Sequence, residues 1–370
     1  MKVLHLYSGN LFGGIERCLI TIAKRQFHTP DVEHQFGLCF HGKLREELVS
    51  CGAVVHDFGA VRVSRPWTVW EARRRLKMLH AKKPFDVCIT HAGWSHGVFA
   101  RAAKSVGLPI VHCVHDDLTD AGWLYRWAKR VPPKRVIANS QFTAGTVQRI
   151  FPTVPCDVLA CPVEDRSDPN REATRTAIRA ELHTPVHAVV ILQASRLERM
   201  KGQAVHIEAL GKLCEVPGWV AWIAGGPQKA GEAEYLHELK HRAMVLGIAG
   251  RVRFLGQRSD IPRLMAGSDV FCQPNTGPEP FGIALVEALY AGLPVVTSDI
   301  GGGAEIVNEF CGVRIEPKNV NLLAGMLKAF IEKPEMILSF SLGGAFCAKE
   351  LCDPKQQLIA FRKILSEAIR

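Results

Sequence analysis

The sequence predicts an α/β protein with two parallel-sheet domains in tandem. Short apolar runs rich in β-branched residues alternate with helical stretches along most of the chain. These runs lack the alternating polar positions of a sheet with one wet face, so helices are expected to cover both faces of each sheet. The chain has 370 residues, a length that suits two domains or three.

The composition is that of an ordinary globular protein. Hydrophobic residues make up 47% of the chain and charged residues 22%, which argues against disorder and low complexity. No apolar run reaches the ~20 residues needed to cross a bilayer, and the first run ends at Ser8, too early for a signal peptide. The twelve cysteines include no C-x-x-C pair. We therefore expect free thiols, a reduced cytoplasmic protein and no metal site.

Six apolar runs in the first half are predicted strands, and helical patterns fill the gaps between them. This order is typical of right-handed β-α-β units in a doubly wound sheet. The six runs are residues 3–7, 35–40, 53–57, 86–90, 110–114 and 135–139. The alternation breaks between Pro162 and Pro185, where residues 164–172 are charged and lack an apolar period. We interpret this stretch as a linker and assign the first domain to residues 1–165.

The second domain is assigned to residues 185–346, where the alternation resumes. Its predicted strands are residues 188–193, 219–224, 252–255, 270–273 and 294–297. The final segment places Leu358, Phe361 and Leu365 at helical spacing. It is therefore predicted to be a terminal helix with one apolar face.

A glycine-containing loop follows the first predicted strand. Gly9 and Gly14 fit the ends of a G-x-G-x-x-G dinucleotide fingerprint, but Leu11 occupies its middle glycine position, which disfavours a nicotinamide dinucleotide. Gly13 and Gly14 at a helix start still allow backbone N–H groups to approach an anionic ligand. The alternative is a tight turn with no ligand.

Two cations stand in the loop after the first strand of the second half. Arg196 and Lys201 are five residues apart across a strand-to-helix connection, so both could converge on one pyrophosphate. Arginine offers a planar fork for phosphate oxygens and lysine a mobile point charge. The alternative is a pair of solvated charges.

The most specific motif follows the predicted strand 270–273. Glu279 precedes a helix start marked by Gly282, and Glu287 lies one to two turns inside that helix. Free N–H groups near the helix start favour phosphate. Glu287 has apolar neighbours and therefore needs a partner, which a ribose diol could provide. The alternatives are a charge that complements the helix dipole at Glu279 and a structural ion pair at Glu287.

His115 stands at the carboxyl end of the predicted strand 110–114, where open α/β sheets bind ligands. His91 ends a neighbouring strand of the same sheet. A structural histidine is the alternative. Asp116 and Asp117 suggest a metal site, but nothing nearby completes an oxygen cage. The three glycines 301–303 permit a further loop to approach a ligand closely.

Together these motifs resemble the GT-B glycosyltransferases of family 4, which transfer sugars from nucleotide diphosphates with retention of anomeric configuration. The resemblance covers most of the chain and implies two Rossmann-like domains facing a cleft, with a terminal helix, residues 347–370, packed back on the first. It rests on Gly13-Gly14-x-Glu16, Arg196 with Lys201-Gly202, Glu279-x7-Glu287, and Gly292 to Val296 followed by Gly301-Gly302.

The resemblance implies four catalytic residues. Arg196 and Lys201 would neutralise the donor diphosphate as the glycosidic bond breaks. Glu279 and His115 would contact the donor sugar. No metal or cofactor is implied. Retention would follow from same-face attack with the leaving phosphate taking the acceptor proton, or from a covalent route through Glu279; both remain open.

The remaining implied contacts are with the nucleotide. Glu287 would hold the ribose, and Gly13 and Gly14 would close over the phosphate and acceptor as the domains close. The backbone around Phe281, Gly282 and Ile283 would bind sugar or phosphate, and the base would meet Gly256, Gln257 and Arg258. From the frequency of substrates in the family we expect a UDP-sugar, such as UDP-glucose, and a cell-surface polysaccharide or lipid-linked acceptor.

A basic segment spans residues 62–83. It holds eight Lys or Arg and one acidic residue, Glu71, so it contributes +7 to the chain's net charge of +10. Val69, Ala72, Leu76 and Leu79 form an apolar stripe. The segment is interpreted either as a solvated helix face or as a peripheral docking surface for anionic lipid. Nucleic acid is not expected, because no base-stacking motif accompanies the charge.

Two other functions use the same two-domain fold. A non-hydrolysing nucleotide-sugar epimerase would release an altered free nucleotide sugar. A non-catalytic partner subunit would bind the nucleotide sugar without turnover, but the intact Glu279, Glu287, Arg196 and Lys201 argue against it.

Overall fold

The computed structural model describes residues 1–10, 13–119 and 122–370. Leu11, on which the argument against a dinucleotide rests, lies outside these residues. The chain forms two compact units. The N-terminal unit consists of Met1–Glu164 with Cys352–Arg370, and the second unit is Asp165–Leu351.

The N-terminal unit is built on a parallel sheet of seven strands, which contains all six predicted strands. The strands are β1 (Lys2–Tyr7), β2 (Glu33–Leu38), β3 (Val54–Asp57), β4 (Val87–His91), β5 (Ile110–Val114), β6 (Arg135–Ala138) and β7 (Cys156–Val158). Their order in the sheet is β3-β2-β1-β4-β5-β6-β7. The sequence analysis missed β7, because this edge strand is only three residues long and two of them are exposed.

Helices pack around this sheet. They are α1 (Gly14–Arg25), α2 (Lys43–Ser50), α3 (Pro66–Lys82), α4 (Ala92–Ser105), α5 (Trp123–Ala128), α6 (Gln141–Val147) and, from the chain end, α14 (Pro354–Ile369). The apolar face of α14 is buried in the N-terminal unit through Leu358, Phe361 and Leu365. A single helix over residues 347–370 is not formed. The helix breaks at Asp353, whose side chain accepts a hydrogen bond from the Gln356 N–H (3.0 Å) and so caps α14.

The second unit contains a parallel sheet of six strands. They are β8 (Val189–Ala194), β9 (Trp219–Ala224), β10 (Val252–Gly256), β11 (Val270–Gln273), β12 (Val295–Ser298) and β13 (Gly312–Ile315). Their order is β10-β9-β8-β11-β12-β13. The helices are α7 (Arg171–Glu181), α8 (Gln203–Gly211), α9 (Glu232–Val245), α10 (Ile261–Gly267), α11 (Ile283–Tyr290), α12 (Val320–Glu332) and α13 (Pro334–Cys352). The sequence analysis missed β13 because this strand has only four residues and its two central residues are not buried.

The interpretation of residues 162–185 as a linker is wrong for α7, and the second unit starts earlier than residue 185. α7 packs on α10 and buries Ile178 completely. Its Arg175 and Arg179 each donate to a different oxygen of Asp269, both at 2.6 Å. A helix held largely by ion pairs gives little apolar period, which explains why it was overlooked.

Each sheet has a topological switch point, because the chain winds first to one side and then to the other. It lies between β1 and β4 in the N-terminal unit and between β8 and β11 in the second unit. Open α/β sheets bind ligands beyond the carboxyl ends of such strands. All twelve cysteines are free thiols. Within the described ranges, no helix is both long and apolar enough to cross a membrane.

Candidate active site

The second unit brings two of the predicted catalytic residues together at its switch point. The loop after β8 carries Lys201 and the loop after β11 carries Glu279, and the Lys201 ammonium forms an ion pair with Glu279 Oε1. Both side chains are largely buried, at 9% and 15% exposed. The pair is therefore only weakly screened by water.

Two amides fix the other oxygen of Glu279. Gln273 Nε2 and Asn275 Nδ2 donate to Glu279 Oε2 at 2.8 and 2.9 Å. Sequence reasoning missed these residues. The available signal was polar residues at the end of the otherwise apolar strand β11. They orient the carboxylate without adding charge.

The Lys201 loop fits against the loop after β11 through Gly202. This glycine has φ +74°, and a Cβ there would lie 1.8 Å from the carbonyl oxygen of Pro274. The Thr276 N–H donates to the Met200 carbonyl at 2.8 Å, and Gln193 Nε2 donates to the Lys201 carbonyl at 2.7 Å. The backbone geometry, and not only the ion pair, therefore positions Lys201.

The glycines 301–303 bring a third loop close to the backbone of Glu279. Gly301 has φ +69°, and a Cβ on it would lie 2.6 Å from the Glu279 nitrogen. The Gly302 N–H donates to the Glu279 carbonyl at 2.7 Å. The loop thus lies close to the segment that carries the carboxylate, while its approach to a ligand stays a prediction.

Arg196 pairs with a different carboxylate from the one that Lys201 contacts. Its side chain is half exposed, and its Nη1 forms an ion pair with Glu198 Oε1 at 2.8 Å. In this structure each predicted cation therefore has its own carboxylate. An exposed pair of this kind contributes about 0–1 kcal/mol, so little free energy holds Arg196 on Glu198.

The predicted helix start is confirmed at α11. Gly282 has φ +114° and directly precedes the helix, a conformation that favours glycine. Phe281 is buried, while Ile283 and Glu287 are partly exposed. Glu287 lies in the second turn of α11.

The predicted base-binding loop follows β10. Gly256 has φ +67°, and Gln257 is exposed. The Arg258 guanidinium donates to both oxygens of Asp260, at 2.8 and 2.7 Å, and to Glu181 Oε1 at 3.0 Å. Its side chain thus supports the loop and does not lie free in it.

In the N-terminal unit, Glu16 holds Gly13, the residue that directly precedes α1. Its Oε1 accepts from the Tyr7 hydroxyl and its Oε2 from the Gly13 N–H, both at 2.7 Å. Glu16 is 2% exposed. Burial, reinforced by this carboxylate, raises the pKa of Tyr7, which keeps the phenol a donor. The motif glutamate therefore joins the N-terminal end of α1 to the last residue of β1.

His115 is the last member of a row of four histidines that crosses the sheet. Neighbouring rings share hydrogen bonds: His34 Nδ1 with His5 Nε2 (2.9 Å), His5 Nδ1 with His91 Nε2 (3.0 Å), and His91 Nδ1 with His115 Nε2 (3.1 Å). They come from β2, β1, the end of β4 and the residue after β5. Sequence reasoning named only the last two.

Burial keeps the inner histidines neutral. It lowers the pKa of His34 to about 4 and holds the pKa of His5 and His91 well below its usual value. A neutral imidazole donates from one nitrogen and accepts at the other. The row can therefore satisfy every shared hydrogen bond only if all its tautomers point the same way.

We expect the free energy of unfolding to fall as the pH drops below neutral. Burial lowers the pKa of His96 to about 4 and of His206 to about 3, as it does for His34. Below pH ~6.5 the unfolded chain binds protons that the folded chain does not. The stabilisation is therefore complete above pH ~6.5 and is lost towards pH ~4, at about 1 kcal/mol per histidine and pH unit.

Urea unfolding at pH 7.5 and 5.5 measures this loss. His206→Gln should show a shallower pH dependence than His187→Gln, which alters an exposed histidine of the same unit. Equal pH dependence in the two variants would contradict the assignment.

Two doubly wound parallel-sheet units, each with a switch-point loop, are the architecture of the GT-B class of glycosyltransferases. The family model "Glycosyltransferase Family 4" matches residues 12–166, and "Glycosyl transferases group 1" matches residues 174–341. Between them they cover most of the chain. The protein belongs to the glycosyltransferase family whose two halves these models describe, as the resemblance predicted.

Relatives and solved structures agree with this assignment. The lipopolysaccharide core biosynthesis mannosyltransferase LpsB of Rhizobium meliloti is 27% identical over 76% of this chain and 74% of its own length. A D-inositol 3-phosphate glycosyltransferase of Mycobacterium bovis is 36% identical over 62% of this chain and half of its own. The crystal structure of Anabaena Alr3699/HepE in complex with UDP and glucose is similar at a TM-score of 0.86 and 27% identity, covering 99% of this chain and 100% of that one.

Proposed function

We propose that this glycosyltransferase is a retaining hexosyltransferase that uses a UDP-sugar, specifically UDP-glucose, and glycosylates a saccharide or lipid-linked acceptor in cell-surface polysaccharide synthesis. The buried Lys201–Glu279 pair at the switch point is the observation that carries the proposal. The ligands of the similar Alr3699/HepE complex, UDP and glucose, support the donor. The role of LpsB in lipopolysaccharide core biosynthesis supports the acceptor class.

The proposed reaction needs charge stabilisation at the leaving group. The bond between the anomeric carbon and the diphosphate oxygen breaks, and its electron pair stays on the diphosphate. The acceptor oxygen bonds to the anomeric carbon on the same face, and its proton goes to the leaving phosphate. Lys201 and Arg196 would stabilise the developing negative charge, while Glu279 would face the positive sugar. No metal is required for these steps.

Nucleotide binding tests the proposal. UDP should raise the melting temperature, by more than GDP or ADP at equal concentration, because a ligand that binds only the folded state stabilises it. UDP-glucose with an oligosaccharide acceptor should then yield free UDP and a lengthened acceptor. No stabilisation by any nucleoside diphosphate would contradict the proposal, and an epimerised sugar nucleotide without acceptor would identify an epimerase instead.

We also propose that the basic segment docks on anionic membrane. α3 buries Val69, Ala72 and Leu76 against the unit's core, as the apolar stripe predicted. Its outer face exposes Trp67 and Trp70, at 65% and 64%. These are three residues apart and so share a face, and tryptophan favours the membrane–water boundary.

The cations of this segment fall into two groups: those that bind other groups of the protein, and those that could contact lipid. Arg73 donates to the carbonyls of Val98 (2.7 Å) and Gly97 (3.0 Å), so it joins α3 to α4. Arg74 and Arg75 both pair with Glu71. The exposed cations that would contact lipid are Arg62, Arg65, Lys77, Lys82 and Lys83.

Replacing Trp67 and Trp70 together by serine should lower binding to phosphatidylserine vesicles at least about tenfold. Raised salt should weaken binding of the parent protein, since each basic residue near the surface contributes about 1 kcal/mol. Leu342→Ser, at an exposed apolar position of the second unit, is the control. Co-sedimentation that is insensitive to salt and to the double substitution would refute the docking surface.

A further inference from the structure

Three side chains with metal-ligating atoms converge inside the N-terminal unit. The nearest ligand atoms of His91, Cys113 and His115 all lie within 4.8 Å of one another. His91 and Cys113 are register partners on β4 and β5, and His115 follows two residues later. The search for a C-x-x-C pair missed this set, because its members come from two neighbouring strands.

The hydrogen bonds that link His91 to His5 and His5 to His34 would orient His91 as a metal ligand. Metal-bound histidines are commonly oriented by donating their other ring N–H. His91 Nε2 faces His5 Nδ1 at 3.0 Å, and His5 in turn faces His34 and stacks on Phe36. With His91 Nδ1 on a metal, each ring would donate to the next along the row. The second layer of such a site is therefore already in place.

A small cavity adjoins the three ligands. It measures about 40 Å³, and its lining includes the three residues, Asn139 and Cys161. A space of about 10–15 Å³ already holds one water. Asn139 is only 7% exposed. Its Oδ1 has no hydrogen-bond partner in the described part of the chain. A water in a fourth coordination position could donate to this oxygen.

We propose that His91 Nδ1, Cys113 Sγ and His115 Nε2 form a binding site for Zn²⁺, with the cavity as its open fourth position. Two imidazoles and one thiolate select zinc over magnesium and calcium, which prefer oxygen ligands. The 3.1 Å between the two ring nitrogens is close to the spacing of ligands around one tetrahedral ion. On binding, Cys113 releases its thiol proton to solvent and both histidines present lone pairs to the metal.

Zinc in this site would restrain His115. With Nε2 on the metal, the ring could not offer that nitrogen to a donor sugar, so zinc should inhibit transfer and a chelator should restore it. This consequence rests on the role that the family resemblance implies for His115. The binding site itself does not depend on it.

Metal binding to the reduced, metal-stripped full chain tests the proposal without an activity assay. Co²⁺ serves as the spectroscopic probe for Zn²⁺. One equivalent should give a thiolate-to-cobalt charge-transfer band and tetrahedral d–d bands, and Zn²⁺ should displace them. Cys113→Ser should abolish the charge-transfer band, whereas Cys156→Ser, at an exposed cysteine of the same unit, should leave it unchanged.

Two further variants guard against misfolding of the buried Cys113 substitution. His115→Ala removes a ligand that is only partly buried, and should abolish the rise in melting temperature that Zn²⁺ gives the parent protein. His5→Phe keeps a ring on Phe36 and should weaken Zn²⁺ binding about 10–100-fold. The proposal is overturned if the parent binds no stoichiometric metal, or if Cys113→Ser and His115→Ala bind it as the parent does.

Discussion

Lys201→Met is expected to lower kcat/KM for sugar transfer by about 10²–10³-fold, the effect of removing one fixed electrostatic contact to developing charge. Methionine keeps much of the side-chain length but not the ammonium that faces Glu279. Glu279→Gln should reduce transfer comparably, because it removes the carboxylate proposed to face the sugar. Steady-state kinetics with a UDP-sugar donor measures both effects.

Stability separates the chemical role of this pair from its structural one. Lys201→Met alone leaves the buried Glu279 carboxylate with two amide donors, at a cost of about 3–5 kcal/mol. The double variant with Glu279→Gln removes both charges and should recover most of that stability without recovering activity. Arg199→Ala, in the same loop but 68% exposed, is the control for both readouts.

Normal transfer by a folded Lys201→Met protein would show that the cation after β8 plays no part in catalysis. Activity that returns along with stability in the double variant would mean that the pair serves only the fold. Either result removes the basis of the proposed site.

Gly202→Ala should lower the free energy of unfolding more than any other single added methyl group in the second unit's site. The added Cβ would lie 1.8 Å from the Pro274 carbonyl oxygen, on a backbone with φ +74°. Overpacking and left-handed strain together cost about 3 kcal/mol or more, which corresponds to a fall in melting temperature of roughly 6–12 °C. Since the clash lies between the loops of Lys201 and Glu279, activity should fall with it.

Gly250→Ala provides the matched control. A Cβ at Gly250 meets nothing within 4 Å, and its φ lies outside the left-handed region. Calorimetry should find its melting temperature within a few degrees of the parent. If Gly202→Ala melts like Gly250→Ala and keeps its activity, the tight fit of the two loops is not required.

The sequence predicts most of the fold because its strands are buried on both faces. Every residue of β5, β9 and β11 is buried, and their predicted bounds match those observed. The sequence analysis missed β7 and β13 because they are short and partly exposed. It missed α7 because Arg175 and Arg179 hold this helix through Asp269, and such long-range ion pairs leave no local periodicity in the sequence.

The candidate site likewise contains residues that the sequence predicts and residues that only the structure reveals. Lys201, Glu279 and Gly282 were found because they stand next to strand and helix ends in recognisable spacing. Gln273 and Asn275, which orient Glu279, carry no spacing signal. The row from His34 to His115 exists only through the register of four strands that are distant in sequence, and so it could be seen only in the folded chain.

A crystal structure with an intact UDP-sugar donor tests the central claim most directly. The account predicts diphosphate oxygens within hydrogen-bond distance of Lys201 Nζ and of an Arg196 guanidinium that has left Glu198, beside the start of α11. A diphosphate bound elsewhere, with Arg196 still paired to Glu198, would contradict it.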